Sequence, residues 1–85
     1  CKEVTIISKE YEIIGKFIMD DLERGCTYLK GVGAYSENEV LVIYSVLGRN
    51  EFIKLKQYIA KVDPLAFITV GEVHEVMGEG FRNLQ

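Results

Sequence analysis

The chain has 85 residues, enough for one domain with a thin core. Apolar residues make up 48% of it, which excludes a disordered segment and exceeds what so small a core needs. The net charge is −3 with no block of like charge, so neither a nucleic-acid footprint nor docking on anionic lipid is expected.

Val4-Thr5-Ile6-Ile7 is a β-branched run and predicts a buried strand. Ser8 follows as the expected N-cap of a first helix, with Glu10 and Glu12 in its first turn. Tyr11, Ile14, Ile18 and Leu22 recur at helical spacing, joined by Ile13 and Phe17, and form one broad apolar stripe. Gly25 is placed to close that helix. Cys26 to Tyr35 reads as a second strand broken by Gly31 and Gly33. A polar turn, Ser36-Glu37-Asn38-Glu39, joins it to a third strand over Val40 to Leu47, and so short a link predicts an antiparallel hairpin. Asn50 is the expected cap of a second helix, buried through Phe52, Leu55, Ile59 and Val62. Asp63-Pro64 stops it, because proline disfavours helical geometry in the residue before it. Ala66 to Val76 predicts a fourth strand, followed by a turn over Met77 to Phe81 and a frayed end.

The order β-α-β-β-α-β predicts an α+β, ferredoxin-like domain over residues 1–85: a four-stranded antiparallel sheet with two helices on one face. Two helices cover only one sheet face. Yet the third strand is apolar on both, with Val40, Val42, Tyr44 and Val46 opposite Leu41, Ile43 and Leu47. Self-association through the open face, as a dimer or trimer, is therefore expected.

Chemistry-bearing residues are sparse. Cys1 and Cys26 form no C-x-x-C pair, so no structural disulfide is expected and a reducing compartment is the default. His74 is the sole histidine, and with Glu72 beside it on one strand face it makes too small a set for zinc; no metal and no cofactor are expected. No nucleophile and base share a local signature, so catalysis is not expected. Lys30-Gly31-Val32-Gly33-Ala34-Tyr35 has the outline of an RNA-recognition octamer, but Val32 and Ala34 stand where stacking aromatics are needed. The Gly31/Gly33 pair either bulges a strand or admits a ligand to the backbone. Gly78 and Gly80 form a second pair, which either docks Phe81 in a tight turn or frames a pocket with the first. No apolar run approaches the ~20 residues that span a bilayer. The first residue is Cys rather than Met, which predicts a piece cut from a longer protein.

Gly25-Cys26-Thr27, Gly31-Val32-Gly33-Ala34-Tyr35, Asp63-Pro64-Leu65-Ala66-Phe67 and His74-Glu75-Val76-Met77-Gly78-Glu79-Gly80-Phe81 occur in that order. With these motifs the chain resembles the C-terminal soluble domain of the YitT-type bacterial membrane proteins. The resemblance implies a missing transmembrane portion, a cytoplasmic tail domain, and a ferredoxin-like fold similar to PII-type signalling proteins and the ion-tolerance protein CutA. On that fold analogy the expected role is regulatory, and the two glycine pairs with their neighbours, Gly31, Gly33, Tyr35, His74, Gly78, Gly80 and Phe81, are the expected lining of a small-molecule site. The other expected role is assembly alone.

Overall fold

The computed structural model describes residues 1–35 and 37–77. Six elements follow one another: β1 (Lys2–Ile7), α1 (Tyr11–Asp20), β2 (Thr27–Val32), β3 (Glu39–Leu47), α2 (Arg49–Val62) and β4 (Phe67–Glu72). The strands form one antiparallel sheet in the order β2-β3-β1-β4. This is the expected βαββαβ, ferredoxin-like arrangement.

Alternation along the strands divides the sheet into a helix-facing side and an open side. Val4 and Ile6 of β1 pair with Ser45 and Ile43 of β3, and with Val70 and Ile68 of β4. Against this side pack Ile14 and Ile18 of α1 and Leu55 and Ile59 of α2, all essentially inaccessible to solvent. Fully burying a side chain of this size contributes about 1.5–3 kcal/mol, so this small cluster is the main source of stability. Ser45 is buried among these residues, and its hydroxyl donates to the Gly25 carbonyl at 2.8 Å.

Several element ends differ from expectation, each for a local reason. Ser8 does not cap α1; Glu10 holds the N-cap position without a side-chain cap bond. Ser8 instead accepts the Glu10 N–H at 2.9 Å and donates its own proton to Asp63 Oδ2 at 2.6 Å. Gly25 does not close α1. The left-handed residue there is Glu23, with φ 56°, and α1 ends at Asp20. Asn50 does not cap α2. Gly48 takes that position in extended backbone, and its N–H donates to the Glu51 carboxylate at 2.7 Å. The same carboxylate receives Arg24 Nε at 3.1 Å, tying the end of the α1–β2 connection to the start of α2. β2 and β4 are shorter than the apolar runs that predicted them. β2 stops at Val32 because Gly33 already turns the chain: its N–H bonds the Asn38 carbonyl and its carbonyl accepts the Glu37 N–H.

One helix residue has no sequence precedent in the stripe. Gly15 is buried in α1 where the helix lies against β2, and a Cβ there would run into the Tyr28 hydroxyl. Tyr28 in turn meets Tyr11 edge-to-face, with ring centroids 5.8 Å apart.

Candidate ligand cleft

The β2–β3 hairpin outruns the rest of the sheet. β1 pairs with β3 only as far as Ile7 opposite Val42, whereas β2 and β3 stay paired out to Val32 opposite Glu39. Beyond Val42, β3 therefore has a paired neighbour on one side only. At the same end the chain leaves β1 for α1 and enters β4 from α2. The space between overhang and connections is a cleft of about 830 Å³. That lies within the ~300–1,000 Å³ of small-molecule sites.

One wall is the overhang itself, with Lys30, Gly31 and Val32 on β2 and Glu39, Val40 and Leu41 on β3. The opposite wall is Ile7, Ser8, Lys9 and Tyr11 from β1 and the entry to α1, closed by Asp63 and Leu65. Asp63 holds this second wall together. It is 6% exposed, and its two carboxylate oxygens accept from the Ser8 hydroxyl at 2.6 Å and from the Leu65 N–H at 3.1 Å. Asp63 thereby pins the β1–α1 connection to the α2–β4 connection. Lys9 and Lys30 are exposed and take part in no ion pair among the described residues.

Of the residues expected to form a site, Gly31 lines this cleft. Gly33 lies in the adjoining hairpin turn, and Tyr35 is fully exposed near its tip. His74 is elsewhere. Glu72 pairs with Lys2 at the far end of the sheet, and the Val73 N–H bonds the Cys1 carbonyl just beyond it. The register puts Glu72 and Gly31 seven residues apart along the strand direction, roughly 23 Å at the rise of an extended chain. His74 thus lies at the opposite end from Gly31, Gly33 and Tyr35. Gly78, Gly80 and Phe81 lie outside the described residues. Sequence reading missed Lys9, Tyr11 and Asp63 as cleft residues, because Asp63 reads as a helix stop and Tyr11 as part of an apolar stripe; Lys30 belongs to the Lys30-Gly31-Val32-Gly33 stretch that it singled out.

Titration behaviour around the sheet follows burial and, at Glu72, ion pairing. Burial pushes the Cys26 thiol above its ordinary value. The Tyr28 hydroxyl is raised first by burial, then by Cys26, Glu12 and Tyr11. Tyr44 is raised by burial and by the Glu3 carboxylate, which accepts its hydroxyl at 3.4 Å. Glu72 is lowered by its hydrogen bond and ion pair with Lys2. Among the described residues no group of three or more His, Cys, Asp or Glu could hold a metal ion, and no helix is long and apolar enough to cross a membrane.

The family model for an uncharacterized protein conserved in bacteria (DUF2179) matches residues 24–78. The chain is 46% identical over 80 residues to the UPF0750 membrane protein YpjC of Bacillus subtilis, covering 94% of this chain and 28% of that protein. It is 41% identical over 81 residues to an uncharacterized protein in the cccA 5′ region of Bacillus sp. strain PS3, covering 95% of this chain and 54% of the relative. The chain thus spans between about a quarter and about half of the length of these relatives. A solved DUF2179 protein from Eubacterium ventriosum superposes with a TM-score of 0.71 at 36% identity, over 82% of this chain and 96% of that one. The expected kinship with bacterial membrane proteins is borne out, and the chain belongs to the DUF2179 family.

Proposed function

We propose that this domain is a non-catalytic sensor of a small ligand, attached to a bacterial membrane protein and facing the cytoplasm, and that the ligand sits in the hairpin cleft. The observation that carries this reading is the cleft's build. It is a preformed space of about 830 Å³ with a mostly apolar lining, and a buried, doubly bonded carboxylate holds one of its walls. A space that is already open between ordered elements admits a ligand without first ordering the chain, which favours binding. A ligand that bridged the hairpin to the β1–α1 connection would change how the two move relative to each other. Such a change is a physical route for signalling to an attached membrane segment.

A thermal-shift screen of the purified domain against metabolite anions, nucleotides, amino acids and divalent cations tests this. A ligand at 100 times its dissociation constant stabilises the fold by about 2.7 kcal/mol, a rise of more than about 10 °C for a domain of this size. The rise must vanish in Leu41→Asp, which places a charge in the overhang wall. A hit that survives Leu41→Asp but is lost in a Gly78→Ala, Gly80→Ala double variant would move the site to the C-terminal glycine pair. A flat screen refutes the sensor reading.

A second reading, assembly through the open sheet face, is favoured by a specific observation. Phe67 (61% exposed), Leu29 (49%) and Ile7 (37%) stand on that face around the half-buried Val40, Val42 and Val46. An apolar face of this kind marks a contact surface. Sedimentation equilibrium of Leu29→Lys beside the unaltered domain distinguishes the two: a monomer in the variant and an oligomer in the original supports assembly, and monomers in both refute it.

A further inference from the structure

The charges around the cleft are not arranged symmetrically. It holds two carboxylates and two ammonium groups, but their circumstances differ. Asp63 is buried, and each of its oxygens accepts a hydrogen bond from the wall it holds, so its carboxylate is engaged in the fold rather than presented at the surface. Glu39 is exposed at the outer end of the overhang, where its strand begins, on the same sheet face as Lys30 and diagonal to it. Lys9 and Lys30 are exposed, come from opposite walls, and have no ion-pair partner among the described residues. Lys30 shares its strand face with Tyr28, two residues before it, so it stands on the side where α1 packs. Lys9 lies on the connection leading into the same helix. Between them the lining is apolar, supplied by Ile7, Tyr11, Leu41 and Leu65.

From these residues we propose that the cleft takes an amphipathic organic anion. Its apolar or aromatic body packs on Tyr11 and Leu41, and its single anionic head lies between the ammonium groups of Lys9 and Lys30. A hydrogen bond to a charged group is worth more than a neutral one, and two ammonium groups from separate walls give a head group a fixed position. This inference rests on the sensor reading, because it names the ligand class of that same cleft.

The test uses two fluorescent dyes that share one ring system. 8-Anilinonaphthalene-1-sulfonate carries an anionic head; N-phenyl-1-naphthylamine lacks it. Titration of the folded domain, checked by a cooperative thermal transition, is expected to show saturable binding of the sulfonate dye and weaker binding of the neutral one. Lys9→Gln and Lys30→Gln should each weaken the sulfonate dye by about tenfold, the size expected for one charge-assisted contact, and leave the neutral dye unchanged. Rising ionic strength should weaken the sulfonate dye alone. Val46→Ser, on the open face at the other end of the sheet, should change neither. Equal binding of the two dyes, indifferent to both lysine variants but lost in Leu41→Asp, overturns the anion inference and leaves a ligand cleft standing. Binding of neither dye, or binding lost in Val46→Ser rather than Leu41→Asp, overturns the cleft itself.

Discussion

Replacing Gly15 with alanine sets two effects of opposite sign against each other. In an exposed helix interior the change stabilises by about 0.8–1 kcal/mol, because alanine restricts the unfolded chain more than glycine does. At Gly15 the new Cβ would meet the Tyr28 hydroxyl and lie 3.2–3.3 Å from two of its ring carbons. The Tyr28 ring must then swing away. Doing so forfeits its edge-to-face contact with Tyr11, worth about 0.5–1.5 kcal/mol, and part of the ring's burial, of which 43% is already exposed. The two effects then nearly cancel, and Gly15→Ala alone is expected to change stability by less than about 0.7 kcal/mol, under about 6 °C in Tm. The decisive comparison is a double-mutant cycle read by thermal unfolding. In a Tyr28→Ala background the obstacle is gone, and the same Gly15→Ala change should raise stability by about 1 kcal/mol. A change of equal sign and size in both backgrounds refutes the idea that Gly15 exists to seat Tyr28. The outcome bears on the cleft, because Tyr28 braces Tyr11 and Tyr11 lines the cleft wall.

Asp63→Ala removes the acceptor for the Ser8 hydroxyl and the Leu65 N–H, and should lower stability by about 2–3 kcal/mol in urea unfolding. Ser8→Ala should lose about half as much. Glu23→Gly should stabilise by about 0.5–1 kcal/mol, since glycine holds a φ of 56° without the strain of a side chain. With Ellman's reagent at pH 8, the exposed Cys1 should react at the rate of a free thiol, and Cys26, half-buried with its thiol raised, should react far more slowly until the domain is unfolded. Tyr28 and Tyr44 are raised above their ordinary value near 10, so the folded state holds these protons more tightly than the unfolded one. Their contribution is fully present below pH 10 and is lost as the pH climbs through the folded values; a Tyr28→Phe, Tyr44→Phe variant should show a shallower alkaline loss of Tm.

The succession of strands and helices and the buried face of each were legible because apolar periodicity is written along each element. Val4 and Ile6 in β1, or Leu55 and Ile59 in α2, are buried where their spacing puts them. Caps were less legible, because each depends on where a side chain finds its partner. Ser8 has the chemistry of an N-cap, but Asp63, distant in sequence, receives its proton. Asn50 has the chemistry of a cap too, yet Gly48 and Glu51 supply the bond two residues earlier. Gly25 was placed by the rule that glycine follows a helix, whereas Glu23 accepts the left-handed conformation sooner. Gly15 could not be read as a contact glycine at all, since Tyr28 meets it only once β2 is in the sheet.

The cleft was hidden for a different reason. It is a consequence of unequal pairing rather than of any motif. β1 contributes six residues and β3 nine, so pairing that begins at Lys2 opposite Leu47 must run out at Ile7 opposite Val42. The remainder of β3, with β2 beside it, then stands beyond the sheet. Ser8 and Asp63 are drawn together at this edge because each ends an element there, one leaving β1 and one leaving α2. The glycines of β2 were singled out as a place where a ligand could reach backbone, and Gly31 does line the cleft. The cause, however, is the hairpin's excess length. A relative with β1 extended by two residues, pairing the overhang through Leu41 and Val40, should therefore close the cleft whatever stands at Gly31. The same insertion made here, after Ile7, should abolish dye binding while leaving the core residues of both helices packed. Retained binding in that variant would show that the overhang is not what makes the site.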